Sequence, residues 1–136
     1  MKVLVDTPIW SLALRRRKRA DDAATATELA SLVEDGRVVL IGPIRQELLS
    51  GIKEEAQFSR LREHLRAFPD ADIVAHDYED AASFYNRCRG KGLQGSNTDF
   101  LICAIAVRYD FSIFTTDRDF THFATVLPIK LHESTT

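Results

Sequence analysis

The sequence predicts a single α/β domain, an α/β/α sandwich in which helices cover both faces of a mostly parallel sheet. Short β-branched runs alternate with longer segments of helical periodicity, as in folds built from successive β–α units. The length of 136 residues and the 45% hydrophobic content suit one core without structural disulfides. No internal repeat or Gly/Ser-rich linker divides the sequence. We therefore expect one domain over residues 1–131 and a polar tail over 132–136 that frays.

Helix starts and apolar periodicity define the individual elements. Proline at positions 8 and 43 suits the first turn of a helix, and each follows a strand-like apolar run. In the first half we predict a strand at 3–5, a helix from Thr7 as N-cap into the basic stretch 15–19, a helix begun by Asp21 or Asp22, a strand at 38–41, and a helix from Gly42 to Gly51. In the second half we predict a helix over 58–68, a weak strand at 73–74, a helix from Asp77 through Tyr85, a loop at 90–95, a helix over 97–110, a strand at 112–115, a loop at 116–119, and a strand over 126–131.

Acidic residues recur where the carboxyl ends of these strands are expected. Asp6 follows the first strand, Glu47 lies shortly after the second, and Asp117 follows the strand over 112–115. Asp99 lies in the first turn of the helix that leads into that strand, and Asp119 is a fifth candidate. The sequence leaves open whether Asp117 or Asp119 faces a metal, and we favour Asp117 because it comes first after the strand. Ligands bind at the carboxyl ends of strands in open α/β sheets, so these acids can share one site. Each acid alone is better explained as a helix-end or surface residue than as a ligand, because the helix dipole favours acids in a first turn by about 0.3–1 kcal/mol.

A shared pocket of carboxylates predicts a particular chemistry. Two carboxylates about 4 Å apart repel by about 4 kcal/mol at an effective dielectric near 20, so several pairs need either cations or protons. Of the four histidines only His122 lies near a candidate acid in the sequence. A site made of carboxylate oxygens, without cysteine or histidine ligands, suits Mg²⁺ or Mn²⁺ rather than zinc. Hard cations held by acids in an open cleft are suited to phosphodiester hydrolysis.

Four segments resemble the acidic motifs of PIN domains, and in particular those of VapC-type toxins from bacterial toxin–antitoxin pairs. They cover nearly the whole chain in the family's order and are Val3-Leu4-Val5-Asp6-Thr7, Pro43-Ile44-Arg45-Gln46-Glu47-Leu48, Thr98-Asp99-Phe100-Leu101-Ile102-Cys103-Ala104 and Thr115-Thr116-Asp117-Arg118-Asp119-Phe120. The resemblance implies a five-stranded parallel sheet in the order 3-2-1-4-5. It also implies a metal-dependent endoribonuclease that forms a homodimer and is inhibited by a cognate antitoxin.

The resemblance also assigns roles to residues. It makes Asp6 and Asp99 the principal metal ligands, and Glu47 and Asp117 complete the set directly or through water. Three threonines are implied as supports that orient a carboxylate or a bound water: Thr7, Thr115 and Thr116. Two departures from the family pattern stand out, because Pro8 replaces a small polar residue and Cys103 interrupts a run of small residues.

Other features limit the partners and the competing functions. The net charge of -2 neither favours nor excludes a polyanionic partner, so any basic surface must be local. The dense positive patch is Arg15-Arg16-Arg17-Lys18-Arg19, which is either a solvated helix end or an arm that contacts RNA phosphates. An acid-nucleophile phosphatase, with Asp6 as the nucleophile, is a competing enzyme class. Such enzymes usually have a second acid two residues later, and this chain has Pro8 there, which argues against that class. A PIN-like scaffold that binds RNA or protein without cleavage and a housekeeping RNA-processing nuclease would share the same motifs.

The sequence predicts a cytoplasmic protein. Its N-terminus becomes acidic at Asp6, too early for a signal peptide, and its longest apolar run, 100–107, is far shorter than a membrane span. Cys88 and Cys103 lack the spacing of metal ligands, and we expect reduced thiols.

Overall fold

A computed structural model describes residues 1–15 and 19–133. Its four parallel strands form one sheet in the order β2-β1-β3-β4. The strands are β1 (Val3–Val5), β2 (Val38–Val39), β3 (Ser112–Phe114) and β4 (Lys130–Leu131). In the register of the central strand, Leu4 pairs with Val39 on one side and with Ile113 on the other.

Seven helices are found in the described residues. They are α1 (Thr7–Ala13), α2 (Ala20–Glu34), α3 (Gly42–Leu49), α4 (Glu55–Leu65), α5 (Ala75–Arg89), α6 (Asn97–Tyr109) and α7 (Asp119–Phe123). Helix α1 packs on α2 and α3, and α5 packs on α6. All three side chains of β1 are fully buried although neighbours on a strand point to opposite faces, so both faces of the sheet are covered. The predicted α/β fold with a parallel sheet is confirmed.

Among the described residues the sheet has four strands, not the expected five. A single parallel bridge between Leu40 and Asp70 lies beside β2, where the fifth strand was expected, and residues 73–74 are not a strand. After Ala71 the backbone leaves the sheet, because the carbonyl of Asp72 accepts hydrogen bonds from the Arg108 guanidinium and the Tyr109 hydroxyl. These side-chain bonds replace the ladder that would have extended the edge strand.

The strand predicted over 126–131 was also too long. Helix α7 begins inside the predicted loop, and helical turns continue to Leu127, whose N–H donates to the Phe123 carbonyl. Phe120, Phe123 and Leu127 are all buried, so a helical stripe brings this segment into the core. The strand is therefore limited to the two residues after Ile129.

Several helix boundaries differ in detail from the sequence prediction. Helix α4 lies three residues before the predicted 58–68, and α5 begins at Ala75 instead of Asp77. The N-cap of α1 is Asp6 instead of Thr7, because the Asp6 carboxylate accepts the Thr7 N–H. Helix α1 ends at Ala13, before the basic stretch. Helix α2 begins earlier than predicted, with Arg19 at the N-cap position instead of Asp21 or Asp22. Residues 16–18 of the basic stretch lie outside the described residues.

The expected tail begins one residue too early. The His132 side chain is only 7% exposed, with Nε2 2.8 Å from Oε1 of Glu28. The His132 ring packs edge-on against Phe114, and the backbone N–H of His132 donates to the Ile113 carbonyl. His132 therefore belongs to the packed fold, and residues 134–136 lie outside the described part.

Both cysteines are free and buried, and within the described ranges no helix is long and apolar enough to cross a membrane.

Candidate active site

A cavity of about 580 Å³ lies at the carboxyl end of β1. The structure brings four of the acids singled out in the sequence to this one place, although they come from distant parts of the chain. The lining consists of Asp6, Thr7, Pro8, Pro43, Gln46, Glu47, Ser50, Ser96, Thr98, Asp99 and Asp117.

Asp6 is the most enclosed of these acids, with a relative exposure of 6%. It sits between β1 and α1, where its Oδ1 accepts the Thr7 N–H at 2.8 Å and its Oδ2 accepts the Thr115 hydroxyl at 2.9 Å. Burial raises the pKa of Asp6 above its ordinary value, and the nearby charges of Asp99 and Asp117 raise it further. The two hydrogen bonds oppose this rise but do not cancel it.

Asp99 is held by a reciprocal capping box at the start of α6. Its Oδ2 accepts the Ser96 N–H at 3.0 Å, and its own N–H donates to Oγ of Ser96 at 3.1 Å. Burial raises the pKa of Asp99, the bonds from Ser96 lower it, and the charges of Asp117 and Asp119 raise it. The carboxylate is thus fixed in place by the helix start instead of by a cationic partner.

Glu47 and Asp117 complete the acidic lining from opposite sides. Oε2 of Glu47 on α3 lies 3.3 Å from the Thr7 hydroxyl, which donates to it. The Asp117 N–H donates to Oγ1 of Thr115 at 3.0 Å, and its Oδ1 accepts the Asp119 N–H at 2.9 Å. Two of the three expected threonine supports, Thr7 and Thr115, therefore contact a cavity carboxylate.

Asp119 and Thr116 lie outside this lining. Asp119 is exposed in the first turn of α7, and its N–H is the group that Asp117 binds. Thr116 is exposed next to Asp117. The sequence left open which of Asp117 and Asp119 faces a metal, with Asp117 favoured, and the structure places Asp117 in the cavity.

The charges and donors of the cavity fit a hard divalent cation. Its described lining contains four carboxylates together with hydroxyl and amide groups, and no lysine, arginine or histidine. In the described part of the chain, no three acidic, histidine or cysteine side chains already form a coordinating group. Magnesium is commonly held by one or two carboxylates and keeps several waters, so a lining of separated carboxylates and hydroxyls suits it.

Of the basic stretch only Arg15 and Arg19 are described, and neither lines this cavity. Arg15 borders a separate groove of about 530 Å³ together with Leu14, Leu48 and Leu61. Its Nη1 lies 3.7 Å from Oδ2 of Asp22. The other described member, Arg19, is exposed at the start of α2.

Sequence reasoning missed several polar residues of the lining. The most informative is Ser96, which together with Asp99 forms the Ser-x-x-Asp pattern that precedes an apolar helical run. That pattern was available in the sequence and fixes both the helix start and the carboxylate. Gln46, Ser50 and Thr98 have no comparable signal, because only the tertiary fold brings α3 and the start of α6 to the same cavity.

Comparisons with known proteins agree with the motif pattern. A family model described as PIN domain matches residues 3–126. VapC ribonuclease Mb1587 of Mycobacterium bovis and ribonuclease VapC11 of Mycobacterium tuberculosis are each 30% identical to this chain over 132 residues, covering 94% of this chain and 96% of theirs.

Solved structures share the fold at lower identity. VapBC2 from Rickettsia felis, bound to a DNA fragment from its promoter, matches with a TM-score of 0.76 at 18% identity, covering 97% of this chain and 98% of that chain. VapBC-1 from nontypeable Haemophilus influenzae matches with a TM-score of 0.75 at 17% identity over 100% of both chains. A toxin–antitoxin complex from Klebsiella pneumoniae matches with a TM-score of 0.64 at 21% identity, covering 96% of this chain and 100% of that chain.

Proposed function

The chain belongs to the PIN domain family, and on this premise we propose that it is a divalent-metal-dependent endoribonuclease. The observation that carries the proposal is the convergence of four carboxylates on one cavity whose described lining holds no cationic side chain. Such a cluster is costly unless a bound cation offsets its charge. RNA is the substrate class, in agreement with the names of the curated relatives.

Asp6 and Asp99 are the proposed principal metal ligands. Their raised pKa values follow from burial and from neighbouring acids, so a divalent cation lowers both and favours the ionised forms. Glu47 and Asp117 complete the set, directly or through water. The hydroxyl of Thr115 and the backbone N–H of Ser96 hold the two principal carboxylates in position. When bound, Mg²⁺ or Mn²⁺ supplies Lewis acidity that acidifies water and offsets charge on the leaving oxygen.

We further propose that the protein is the toxin of a type II toxin–antitoxin pair, acts as a homodimer and is inhibited by a cognate antitoxin. The curated relatives are VapC ribonucleases, and the fold neighbours include a toxin–antitoxin complex. A groove between α1, α3 and α4 offers a surface for the antitoxin, with apolar side chains and an exposed Leu14. On α4, Leu65 is fully buried and Leu61 packs against the core, so these two side chains belong mainly to the core.

Cleavage of RNA with and without metal tests the enzymatic proposal. Wild-type protein in Mn²⁺ should cleave, and EDTA, Asp6→Asn or Asp99→Asn should each reduce cleavage by about 10²-fold or more, because each removes the cation or a ligand. Asp35→Asn is the matched control, since it changes an exposed acid at the end of α2 in the same way. Equal cleavage in all samples would refute a metal-dependent site, and metal binding without cleavage would indicate a non-catalytic scaffold.

Growth assays test the toxin assignment separately. Expression of the wild-type chain alone should arrest growth, whereas Asp6→Asn should not, because the arrest requires cleavage. A housekeeping nuclease would cleave RNA in vitro and leave growth unaffected. Sedimentation of the purified protein tests the homodimer independently of activity.

A further inference from the structure

Gly95 lies against the aromatic core at the entrance to α6, where a side chain has no room. A Cβ added to Gly95 would lie 2.6 Å from Cζ of Phe123 and 3.0 Å from Cε2 of Phe100. Its φ lies outside the left-handed region, so the backbone conformation itself accepts other residues. The requirement for glycine at this position is therefore steric.

The two rings that contact Gly95 have little freedom to move away. Phe100 and Phe123 are each 1% exposed, and their centroids are 4.8 Å apart. Phe123 also packs edge-on against the fully buried Phe120, and Phe100 packs edge-on against Tyr85. Protein cores are close-packed, so an added methyl group displaces backbone when the neighbouring rings are wedged.

The segments on the two sides of this contact carry different carboxylates of the cavity. Gly95 immediately precedes Ser96, whose N–H holds Oδ2 of Asp99 at 3.0 Å. On the other side, Phe123 belongs to α7, whose first-turn N–H at Asp119 holds Oδ1 of Asp117 at 2.9 Å. A displacement on either side therefore changes the position of Asp99 relative to Asp117.

We propose that Gly95 is a positioning residue, whose missing side chain sets the separation between Asp99 and Asp117 in the cavity. It does not touch substrate or metal and acts only through the two segments that it keeps close. The consequence for metal binding and RNA cleavage rests on the function proposed above, whereas the structural consequence does not.

Hydrogen exchange tests the structural consequence without any ligand. In Gly95→Ala, the amide of Ser96 or of Asp119 should exchange at least about tenfold faster, because local opening exposes these bonds. Gly90→Ala is the matched control in the same loop, since a Cβ there meets its nearest atoms at an ordinary 3.5 Å. Removing the end of the opposing ring with Phe123→Leu should restore protection in the double variant.

Metal titration tests the functional consequence. We expect Gly95→Ala to bind Mn²⁺ about 10- to 100-fold more weakly than the wild type, as for other residues that orient metal ligands, and the added Phe123→Leu to recover most of the loss. Gly90→Ala should bind as the wild type does. A residue that only stabilised the fold would change the melting temperature and leave the affinity of the folded protein unchanged.

Several outcomes separate this proposal from the proposed function. Wild-type exchange rates at both amides in Gly95→Ala would overturn the role of Gly95, whatever the protein does to RNA. Faster exchange that Phe123→Leu reverses, in a wild type that neither binds Mn²⁺ nor cleaves RNA, would refute the proposed function and support the spacing role. If Gly95→Ala does not fold, the double variant should fold. Its failure, with Phe123→Leu alone folded, would also overturn the proposal.

Discussion

The hydroxyl of Thr115 donates a 2.9 Å hydrogen bond to Oδ2 of Asp6, and its oxygen accepts the N–H of Asp117 at 3.0 Å. Asp6 directly follows β1 and Thr115 directly follows β3, which are adjacent parallel strands. The bond therefore joins the carboxyl ends of two neighbouring strands beside the cavity. One hydroxyl influences the protonation of one acid and the position of another.

Thr115→Val is expected to move the acidic limb of the pH–rate profile to higher pH. The hydrogen bond from Thr115 lowers the pKa of Asp6, so its removal raises that pKa and reduces the ionised fraction at a given pH. We expect roughly a tenfold loss of activity at neutral pH, measured as RNA cleavage over a pH series. Thr125→Val is the control, because that hydroxyl donates to the His122 carbonyl and Thr125 does not line the cavity. An unchanged profile would show that the bond does not tune the site.

Asp6→Asn is expected to stabilise the metal-free protein at neutral pH while it abolishes cleavage. The folded-state pKa of Asp6 is raised, so its favourable contribution to folding is present below about pH 3.9 and is lost as the pH rises through the folded pKa. The amide of asparagine keeps an acceptor for the Thr7 N–H and carries no charge. The melting temperature in EDTA at pH 7 should rise by about 2–4 °C for each kcal/mol recovered.

Added Mn²⁺ should reverse this order. The ion stabilises the wild type by binding only to the folded state, and the variant should gain much less. Asp35→Asn serves as the control for the loss of one negative charge at an exposed position. A lower melting temperature for Asp6→Asn than for wild type in EDTA would contradict the view that the buried charge of Asp6 destabilises the metal-free protein.

Asp117 and Asp119 are expected to differ strongly in their importance. Asp117 lines the cavity, so Asp117→Asn should reduce cleavage by about 10²-fold. Asp119 is exposed and affects the site mainly by its charge, which raises the pKa of Asp99. Asp119→Asn should therefore retain most of the activity and move the acidic limb slightly to lower pH. Equal losses in the two variants would mean that both acids contact the metal.

The basic stretch should contribute to RNA affinity through its charge. Neutralising residues 15–19 should weaken RNA binding and lower the slope of log K against log salt by about 0.7 for each phosphate that the protein no longer neutralises. Five exposed cations elsewhere form the control set when neutralised together: Lys53, Arg62, Arg87, Arg89 and Lys91. An equal slope for wild type and the 15–19 variant would show that the stretch is solvated surface without a part in RNA binding.

The convergence of the acids could be predicted from the sequence because it depends on topology. Successive β–α units bring the carboxyl ends of parallel strands to one edge, so Asp6, Glu47 and Asp117 needed only correct strand assignments. Asp99 was predicted from its helix start. The side-chain bonds of Thr7 and Thr115 were anticipated through the family resemblance, and the structure places both beside a carboxylate.

Features that depend on long-range packing could not be predicted in the same way. The predicted edge strand is missing because the Asp72 carbonyl accepts hydrogen bonds from the side chains of Arg108 and Tyr109. Both residues lie more than 30 positions away from Asp72 in the sequence. The anchoring of His132 requires Glu28, which is 104 residues away. The steric role of Gly95 depends on two rings that local patterns do not place beside it.

Asp77→Asn is expected to destabilise the protein, the opposite of the result for Asp6→Asn. The Asp77 side chain is fully buried and forms two hydrogen bonds with the Arg108 guanidinium, which hold the pKa of Asp77 below its ordinary value. A lowered folded-state pKa contributes stability above about pH 3.9, and this contribution is lost as the pH falls through the folded pKa. At pH 7 the melting temperature should fall by about 5 °C or more, because the guanidinium of Arg108 loses its charged partner.

The pH dependence of this loss provides its internal check. Below about pH 3.9 the Asp77 carboxyl of the unfolded chain takes up a proton while that of the folded protein stays ionised. Unfolding then becomes less unfavourable, so the difference in melting temperature between wild type and Asp77→Asn should narrow as the pH falls toward the folded pKa. Asp80→Asn is the matched control on the same helix, because its pair with His76 is exposed and should change the melting temperature by no more than about 2 °C. A loss that stays constant from pH 7 to pH 3 would show that Asp77 acts through its shape and its bond to the Val74 N–H instead of through its charge.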